Sequence, residues 1–178
     1  MTRSSEQWNM TRGQVFEVQA GWVAIGRSSK GIVRCTVPLV SAEAAEAELK
    51  LRGLAIEPDK DELLGRVVDL LHSYFAGRPT RFTVPLDLDG LAPFTRRVLE
   101  ECHAIPYGET ITYGALAARA GRPGVARGVG QVMARNPIAI IVPCHRVVGA
   151  GGQLVGFGGG LDMKRTLLEM ERQGLEGR

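Results

Sequence analysis

The stretch that decides the fold is residues 138–148, which read IAIIVPCHRVV. Its first five residues are all apolar, which is typical of a short strand buried on both faces. The run ends at a proline and leads directly to Cys144, His145 and Arg146. Two glycine-rich turns follow within residues 149–160, and they indicate either a pocket for a flat ligand or a flexible connector.

Cys144 is the candidate nucleophile of this chain. A single cysteine is most often a small buried hydrophobic residue, and that interpretation suffices for Cys35 and Cys102. Cys144 differs because an imidazole and a guanidinium follow it directly, and positive neighbours favour the thiolate that a nucleophile needs. The pattern therefore predicts a reactive thiol at this position.

The number and spacing of the cysteines also limit the class of protein to which this chain can belong. The three cysteines form no CxxC spacing, and an odd count argues against a disulfide framework and against a zinc finger. We therefore expect a reduced, cytoplasmic protein with no metal and no cofactor. No apolar run approaches the ~20 residues that span a bilayer, and the N-terminus lacks the apolar centre of a signal peptide, so neither a membrane protein nor export is expected.

Two short helices are predicted just before the decisive stretch. Thr112 can cap the first, which runs to Ala120. The second spans about Val125 to Ala134 and stops before Pro137, because the residue that precedes a proline avoids the helical region. Their glycine-containing connection is typical of a helix-turn-helix, although helical hairpins that do not bind DNA share it.

The second of these helices carries Arg127 among small residues, with Gly128 and Gly130 after it. Glycine inside a helix costs about 0.5–1 kcal/mol relative to alanine, so its presence needs a reason. One reason is that the helix presses into a narrow groove of a duplex, with the arginine entering the duplex. Close packing between helices is the other.

Charge is distributed unevenly along the chain. Residues 1–89 carry a formal charge of −1, whereas residues 90–178 carry +4. No acidic residue occurs between Thr110 and Leu161, but five arginines do: Arg119, Arg122, Arg127, Arg135 and Arg146. Such a stretch suits a phosphate backbone, and a basic surface with no partner is the alternative.

A last helix, about Asp162 to Gln173, places Glu171 among apolar positions. A carboxylate there needs a buried partner. Lys164 on the same face is one candidate, which would make a purely structural pair. His145 is the other, and in that case Cys144, His145 and Glu171 would form a proton relay, with a water between the thiol and the imidazole.

The N-terminal part contains short β-branched segments at 15–20, 22–25 and 32–37 and then two helices, one ending at Gly53 and one spanning about Asp61 to Ala76. No catalytic constellation is evident there. The boundary between the N-terminal part and the second part lies near residues 88–90. The sequence therefore predicts an α+β protein with two domains: a small α/β domain at 1–89, and a mostly helical domain with a helix-turn-helix at 90–178.

The stretch IVPCHRVV at 141–148 resembles the signature of the O6-alkylguanine-DNA alkyltransferases, also called methylated-DNA–protein-cysteine methyltransferases. The similarity continues through Tyr107-Gly108-Glu109, Asn136-Pro137 and Gly159-Gly160-Leu161 and covers essentially the whole second part. The first part fits loosely as the family's variable N-terminal domain, which is ribonuclease H-like. The resemblance implies direct DNA repair: irreversible, single-turnover transfer of an alkyl group from O6-alkylguanine, and from O4-alkylthymine, to one cysteine.

The resemblance also implies the residues at the reaction centre. Cys144 would accept the alkyl group, and His145 and Glu171 would complete its proton relay through water. Asn136 would be the hinge that braces the helix-turn-helix against the active-site strand. The carbonyl of Val147 would help to recognise the exocyclic amine of the base.

Further residues would meet the DNA, the expected partner being double-stranded DNA with an alkylated guanine, approached from the minor groove by a monomer. Arg127 would fill the gap left by the flipped nucleotide, Tyr113 would rotate the guanine and contact it, and Thr95 would touch the backbone. Two positions depart from the family pattern. Phe157 stands where relatives frequently carry tyrosine, and Gly158 stands where a serine is frequent, so only a backbone N–H could serve the guanine oxygen there.

Three other functions compete with repair. A thiol hydrolase or amidotransferase could use Cys144, His145 and Glu171, but it needs an oxyanion hole and would leave the basic helix pair unexplained. A non-catalytic helix-turn-helix module that senses damaged DNA would have no need of the acceptor cysteine. A metal site built on the cysteine lacks further ligands.

Overall fold

The computed structural model describes residues 12–57 and 61–177. Its contacts divide the chain into two compact units. The first holds the described residues up to Ala76 together with Thr80–Gly90, and the second holds Gly77–Pro79 and the chain from Leu91 onward. Helices and small sheets occur in both, so the mixed α+β class is confirmed.

A four-stranded sheet forms the centre of the first unit. Its strands are β1 (Arg12–Val18), β2 (Gly21–Arg27), β3 (Ile32–Cys35) and β4 (Ala55–Ile56), and their order is β3-β2-β1-β4. β1 pairs antiparallel with β2 and parallel with β4, and β2 pairs antiparallel with β3. The three predicted segments all lie in this sheet, with bounds shifted by a few residues.

Two helices complete the first unit, α1 (Ala42–Leu51) and α2 (Glu62–Phe75). Each begins after a residue whose side chain satisfies a free backbone N–H at the helix start. The Ser41 hydroxyl accepts from the Ala44 N–H at 3.2 Å, and the Asp61 carboxylate accepts from the Leu64 N–H at 3.0 Å. α1 buries Ala45 and Leu49 against the sheet.

The second unit is mostly helical. It contains α3 (Pro93–His103), α4 (Tyr113–Arg119), α5 (Ala126–Ala134) and α6 (Gly160–Glu176), with two short parallel strands, β5 (Ile111–Thr112) and β6 (Val147–Val148). Thr112 caps α4 as predicted, because its hydroxyl accepts from the Ala115 N–H at 3.1 Å. α6 is longer than predicted, since Asp162 lies inside its first turn, where an acid is favourable, rather than at its cap.

The predicted strand at residues 138–142 is wrong. The segment is buried but forms tight turns, in which the Ile141 N–H donates to the Ala139 carbonyl and the Val142 N–H donates to the Ile138 carbonyl. Ile140 has a φ of 68°, a left-handed conformation that a β-branched residue rarely adopts. An all-apolar run indicates burial, and here local turns rather than a neighbouring strand satisfy the backbone.

Within residues 12–57 and 61–177, no helix combines the length and the apolar composition needed to cross a bilayer.

Candidate active site

The candidate nucleophile lies at the start of a single helical turn. Cys144–Arg146 forms a 3-10 helix that follows the buried turns directly, and the Cys144 N–H donates to the Val142 carbonyl at 2.8 Å. The residue is 6% exposed, so it is buried but not completely shielded from solvent. All three cysteines are free thiols and all are buried, so burial alone does not distinguish this one.

Positive charge near Cys144 favours the thiolate, as expected, but burial opposes it more strongly. Burial raises the pKa of the thiol, and a hydrogen bond with Asn136 and the charge of Lys164 lower it, but burial outweighs them. The pKa therefore stands above its ordinary value. Because only the thiolate is a strong nucleophile, a base must take the proton before the sulfur can react.

Asn136 follows α5 and holds the turns that precede the thiol. Its side-chain N–H donates to the Val142 carbonyl at 2.8 Å, and its side-chain oxygen accepts from the Ile138 N–H at 3.1 Å. The residue thus braces the end of α5 against buried turns, not against the strand that the sequence predicted. This also explains how a strand-like run avoids strand pairing, since the amide supplies partners that a ladder would otherwise supply.

His145 and Glu171 meet in the interior of the second unit. The imidazole Nε2 lies 2.8 Å from the Glu171 Oε1, and neither side chain is exposed. An ionised carboxylate can only accept hydrogen bonds, so Nε2 carries the proton in this pair. The second ring nitrogen, Nδ1, is then the basic nitrogen of the neutral ring.

Glu171 receives further donors on both oxygens. Arg146 donates from Nε to Oε2 at 3.0 Å and from Nη2 to Oε1 at 3.0 Å, and the Gly108 N–H donates to Oε2 at 2.9 Å. Burial raises the pKa of the carboxyl, but the hydrogen bonds that it accepts from His145 and Arg146, together with the Arg146 charge, outweigh burial and lower it to about 2. Glu171 is therefore ionised at neutral pH.

The environment of His145 keeps its imidazole neutral. Burial lowers the pKa of the ring, Glu171 raises it, and the positive charges of Arg146 and Lys164 lower it again, so the pKa is below its ordinary value of 6.5. The Phe157 ring covers the imidazole edge-on, with centroids 6.3 Å apart and planes at 80°. A neutral, oriented imidazole can accept the proton of a neighbouring thiol.

Lys164 does not pair with Glu171, contrary to the structural alternative that the sequence offered. Its ammonium is buried and donates to the carbonyls of Val147 at 2.6 Å and Val155 at 2.9 Å, and it lies 5.8 Å from the centroid of the Tyr113 ring. The Val147 carbonyl, which the resemblance assigns to base recognition, thus already accepts one hydrogen bond. Arg146 takes the carboxylate instead, because its guanidinium is the better match for both oxygens.

Arg146 is the residue that the sequence analysis placed wrongly. Of the five arginines in the acid-free stretch, Arg119, Arg122, Arg127 and Arg135 are exposed, whereas Arg146 is 5% exposed and pairs with Glu171. It therefore belongs to the reaction centre and not to the basic surface. Its position beside Cys144 did associate it with the thiol, but no local signal marked its burial, since its partners come from positions 25 and 41 away in the sequence.

A cavity of about 820 Å³ opens in the same unit. The start of α4, one face of α5 and the glycine-rich segment after β6 form its walls, and its lining includes Tyr113, Arg127, Phe157 and Gly158. Cys144 is not among the lining residues. Thr95 lies elsewhere, in the first turns of α3, and is partly exposed.

The glycines of α5 are not required by packing between helices. A Cβ on Gly128 would lie 3.6 Å from the Phe94 ring, and one on Gly130 would lie 4.0 Å from the Tyr113 ring, which are ordinary contacts. Gly130 also lines the cavity. Contacts within the protein therefore do not require glycine at either position. Across the two described ranges, no group of three or more histidine, cysteine or acidic side chains could hold a metal ion.

The second unit matches a family of known proteins. The family described as "6-O-methylguanine DNA methyltransferase, DNA binding domain" matches residues 93–173. A methylated-DNA–protein-cysteine methyltransferase of Mycobacterium leprae is 57% identical over 105 residues, which are 59% of this chain and 63% of that protein. The matched segment thus spans a little under two thirds of that relative.

Two further comparisons reach beyond this segment. A methylated-DNA–protein-cysteine methyltransferase of Mycobacterium tuberculosis is 54% identical over 115 residues, 65% of this chain and 68% of that protein. The crystal structure titled "Mycobacterium tuberculosis OGT in complex with DNA" is similar with a TM-score of 0.76 and 37% identity, and the match covers 92% of this chain and 94% of that one.

Proposed function

Because the chain belongs to the methylated-DNA–protein-cysteine methyltransferase family, we propose that it repairs DNA by moving the alkyl group of O6-alkylguanine irreversibly onto Cys144. The observation that carries this proposal is the arrangement of three side chains. A slightly exposed thiol precedes a buried neutral imidazole, and an ionised carboxylate holds that imidazole at 2.8 Å. This is the set of groups that activates a sulfur nucleophile.

The chemistry proceeds as a displacement at carbon. His145 takes the proton of Cys144 through a water, and the resulting thiolate attacks the alkyl carbon. The carbon–sulfur bond forms as the bond between that carbon and the guanine oxygen breaks. The departing guanine anion then takes the proton from the imidazolium, so charge and atoms balance. The product is a thioether, whose sulfur leaves poorly, and each protein molecule reacts once.

Each supporting residue has a role in this reaction. Glu171 holds the ring through Nε2, which leaves Nδ1 as the nitrogen that takes the thiol proton. Asn136 is the hinge that positions the turn carrying the thiol. Val147 offers its carbonyl to the exocyclic amine of guanine, since a carbonyl that accepts from Lys164 has a second lone pair.

The partner is double-stranded DNA, approached from the minor groove. In this proposal α4 and α5 act as a helix-turn-helix, Arg127 enters the duplex and replaces the extruded base, and Tyr113 rotates the guanine into the cavity. Thr95 contacts the backbone. The exposed arginines and the cavity beside α5 support this surface, as does the similar mycobacterial protein solved in complex with DNA.

Three finer statements complete the proposal. Phe157 and Gly158 supply no side-chain donor, so a backbone N–H serves the leaving oxygen of guanine or of O4-alkylthymine. The first unit is the ribonuclease H-like domain of the family. The protein is a monomer, and it acts in the cytoplasm, a reducing compartment in which its three cysteines stay free.

Counting repaired lesions against protein molecules tests the proposal. Wild-type protein is added in a series of amounts to an excess of duplex with one O6-methylguanine, and the remaining lesion is measured after the reaction stops. We expect one lesion lost for each protein molecule. Several lesions lost per molecule would contradict an irreversible acceptor and favour a turnover enzyme, and binding without loss would favour the damage sensor.

A further inference from the structure

Arg146 and His145 are neighbours in the chain and share one carboxylate. His145 meets Glu171 through Nε2 at 2.8 Å, while Arg146 reaches the same group through Nε at 3.0 Å and Nη2 at 3.0 Å. All three side chains are buried. An ion pair and an imidazole thus form one compact unit in which the carboxylate is common to both.

A carboxylate that stands alone beside a histidine favours the charged imidazolium. Here the guanidinium cancels most of that effect, since the carboxylate and Arg146 together carry no net charge. The hydrogen bond that orients the ring remains. The two effects of a carboxylate on a histidine, orientation and charge stabilisation, are therefore separated.

We propose that Arg146 is a positioning residue for the alkyl transfer: by pairing with Glu171 it keeps the His145 imidazole oriented yet neutral until the thiol proton arrives. This inference rests on the proposed function for its chemical consequence. Its structural part, the neutral resting imidazole, can be measured without any alkyl transfer.

Arg146 is itself fixed on several sides. Its Nη1 donates to the Ile105 carbonyl at 2.6 Å, and its guanidinium lies 5.7 Å from the centroid of the Tyr107 ring. The Gly108 N–H donates to the remaining side of the Glu171 carboxylate. The segment Ile105–Gly108 therefore clamps both members of the ion pair, and the carboxylate cannot turn away from the imidazole.

Charged and titratable groups approach His145 from its own turn and from α6. Glu171 and Lys164 face it from α6, Arg146 lies beside it in the same turn, and Cys144 precedes it. The Phe157 ring covers it from the glycine-rich segment and cannot titrate. Of these groups only Glu171 favours the charged ring, so removal of its counter-charge acts directly on the histidine.

The Arg146–Glu171 pair also favours the later step, in which the His145 imidazolium gives its proton to the departing guanine. Once the imidazole has taken the thiol proton, it is a cation buried beside a net neutral pair and beside Lys164. Such a cation readily gives up its proton. The guanine anion that departs from the alkyl carbon is the acceptor, so the neutral imidazole is restored as the neutral base leaves.

Substitution of Arg146 tests the inference. Histidine-labelled and glutamate-labelled wild type, Arg146→Gln and Arg146→Lys are titrated by NMR, and the pH at which the His145–Glu171 pair takes up a proton is recorded. Arg172→Gln is the matched control, since Arg172 pairs with Glu169 on the exposed face of α6. The pH profile of methyl transfer to Cys144 is measured on the same proteins.

We expect Arg146→Gln to move the proton uptake and the acid limb of the rate profile upward by about one pH unit, with a rate on that limb about tenfold lower. Arg146→Lys should recover most of the shift, and Arg172→Gln should match wild type. Identical midpoints in wild type and Arg146→Gln, with only lower stability in the variant, would overturn the inference and leave Arg146 a structural residue.

Wild type alone supplies a test if Arg146→Gln does not fold. A His145 imidazole that is charged in wild type at pH 7 would contradict the inference directly. If wild type never methylates Cys144, the proposed function fails, but the NMR titration still decides the state of the imidazole. The two failures are therefore distinguishable.

Discussion

Two regions of this chain contain almost the same ingredients. At the end of β3, Arg34 precedes the buried Cys35 and pairs with Glu48 of α1 at 2.6 Å. In the second unit, Arg146 follows the buried Cys144 by two residues and pairs with a glutamate of α6 at 3.0 Å. Each region thus has a buried thiol near an arginine that is held by a helical carboxylate.

The two regions differ in access and in the presence of a base. Cys35 has no exposure, and burial raises its pKa to about 12 although the charge of Arg34 lowers it. Cys144 is 6% exposed and is followed by an imidazole that a buried carboxylate orients. Burial and a nearby arginine therefore do not make a nucleophile. What distinguishes Cys144 is its slight exposure and the oriented imidazole that follows it in the chain.

The largest difference between the two regions is expected when the cysteine of each is replaced by alanine. Cys144→Ala should abolish methyl transfer from a duplex with O6-methylguanine, because Cys35 and Cys102 are fully buried whereas Cys144 is slightly exposed and adjoins the His145–Glu171 pair. Cys35→Ala should retain the wild-type rate, measured as transfer of labelled methyl to protein. Residual transfer to Cys144→Ala would show that the imidazole and the slight exposure are not what selects the thiol.

The next largest difference is expected when the glutamate that pairs with each arginine is replaced by glutamine. Glu171→Gln should lower the unfolding free energy by about 3–5 kcal/mol, since it leaves the Arg146 charge buried without its counter-charge, and should slow methyl transfer at least about 100-fold. Glu48→Gln removes a carboxylate that is 34% exposed, so it should cost about 1 kcal/mol or less. Urea unfolding and single-turnover rates measure both.

The stability of wild type and of Glu171→Gln should also respond differently to acid. The folded pKa of Glu171 lies at about 2, below its ordinary value of 4.5, so its stabilising effect is present above pH 4.5 and is lost as pH falls toward 2. Wild type should therefore lose more stability than Glu171→Gln over this interval. Equal losses would show that the buried network does not depend on an ionised Glu171.

A smaller effect concerns access from DNA. Arg127→Ala should slow transfer from duplex DNA about tenfold, the equivalent of losing roughly 1.4 kcal/mol of base extrusion, while its reaction with free O6-benzylguanine stays near wild type. Arg135→Ala, an exposed arginine directly after α5, is the control. Equal losses on both substrates would remove the role of Arg127 in extruding the base.

The smallest effect concerns the leaving oxygen. Gly158→Ser restores a hydroxyl at a position where an added Cβ meets open space, so we expect no loss of stability and a rate up to about tenfold higher, as one added hydrogen bond allows. Gly158→Ala separates the hydroxyl from the added carbon. A serine variant no faster than the alanine variant would indicate that the backbone donor already suffices.

Local signals made the helices of this chain predictable. Ser41, Asp61 and Thr112 mark helix starts because their side chains bind backbone N–H groups within the next few residues. A buried partner for Glu171 was also predictable, since a carboxylate on an apolar helix face requires one, although the sequence offered both Lys164 and His145 for that place. These inferences needed no knowledge of distant contacts.

Long-range contacts decided what the sequence did not reveal. The apolar run 138–142 has the composition of a strand, but the Asn136 amide satisfies its backbone and allows turns. Arg146 has the charge of a DNA-binding residue, yet it is buried, where it donates hydrogen bonds to Glu171 and to the Ile105 carbonyl. Composition and spacing do not report which of several arginines meets a buried carboxylate.

Peptide mapping after a single reaction tests the central claim most directly. Cleavage after arginine and lysine places Cys35, Cys102 and Cys144 on separate peptides. After incubation with a duplex that contains O6-methylguanine, we expect the mass of one methyl group on the peptide of residues 136–146 and on neither of the others. An unmodified Cys144 peptide after the lesion has disappeared, or methyl on the Cys35 peptide, would contradict this account.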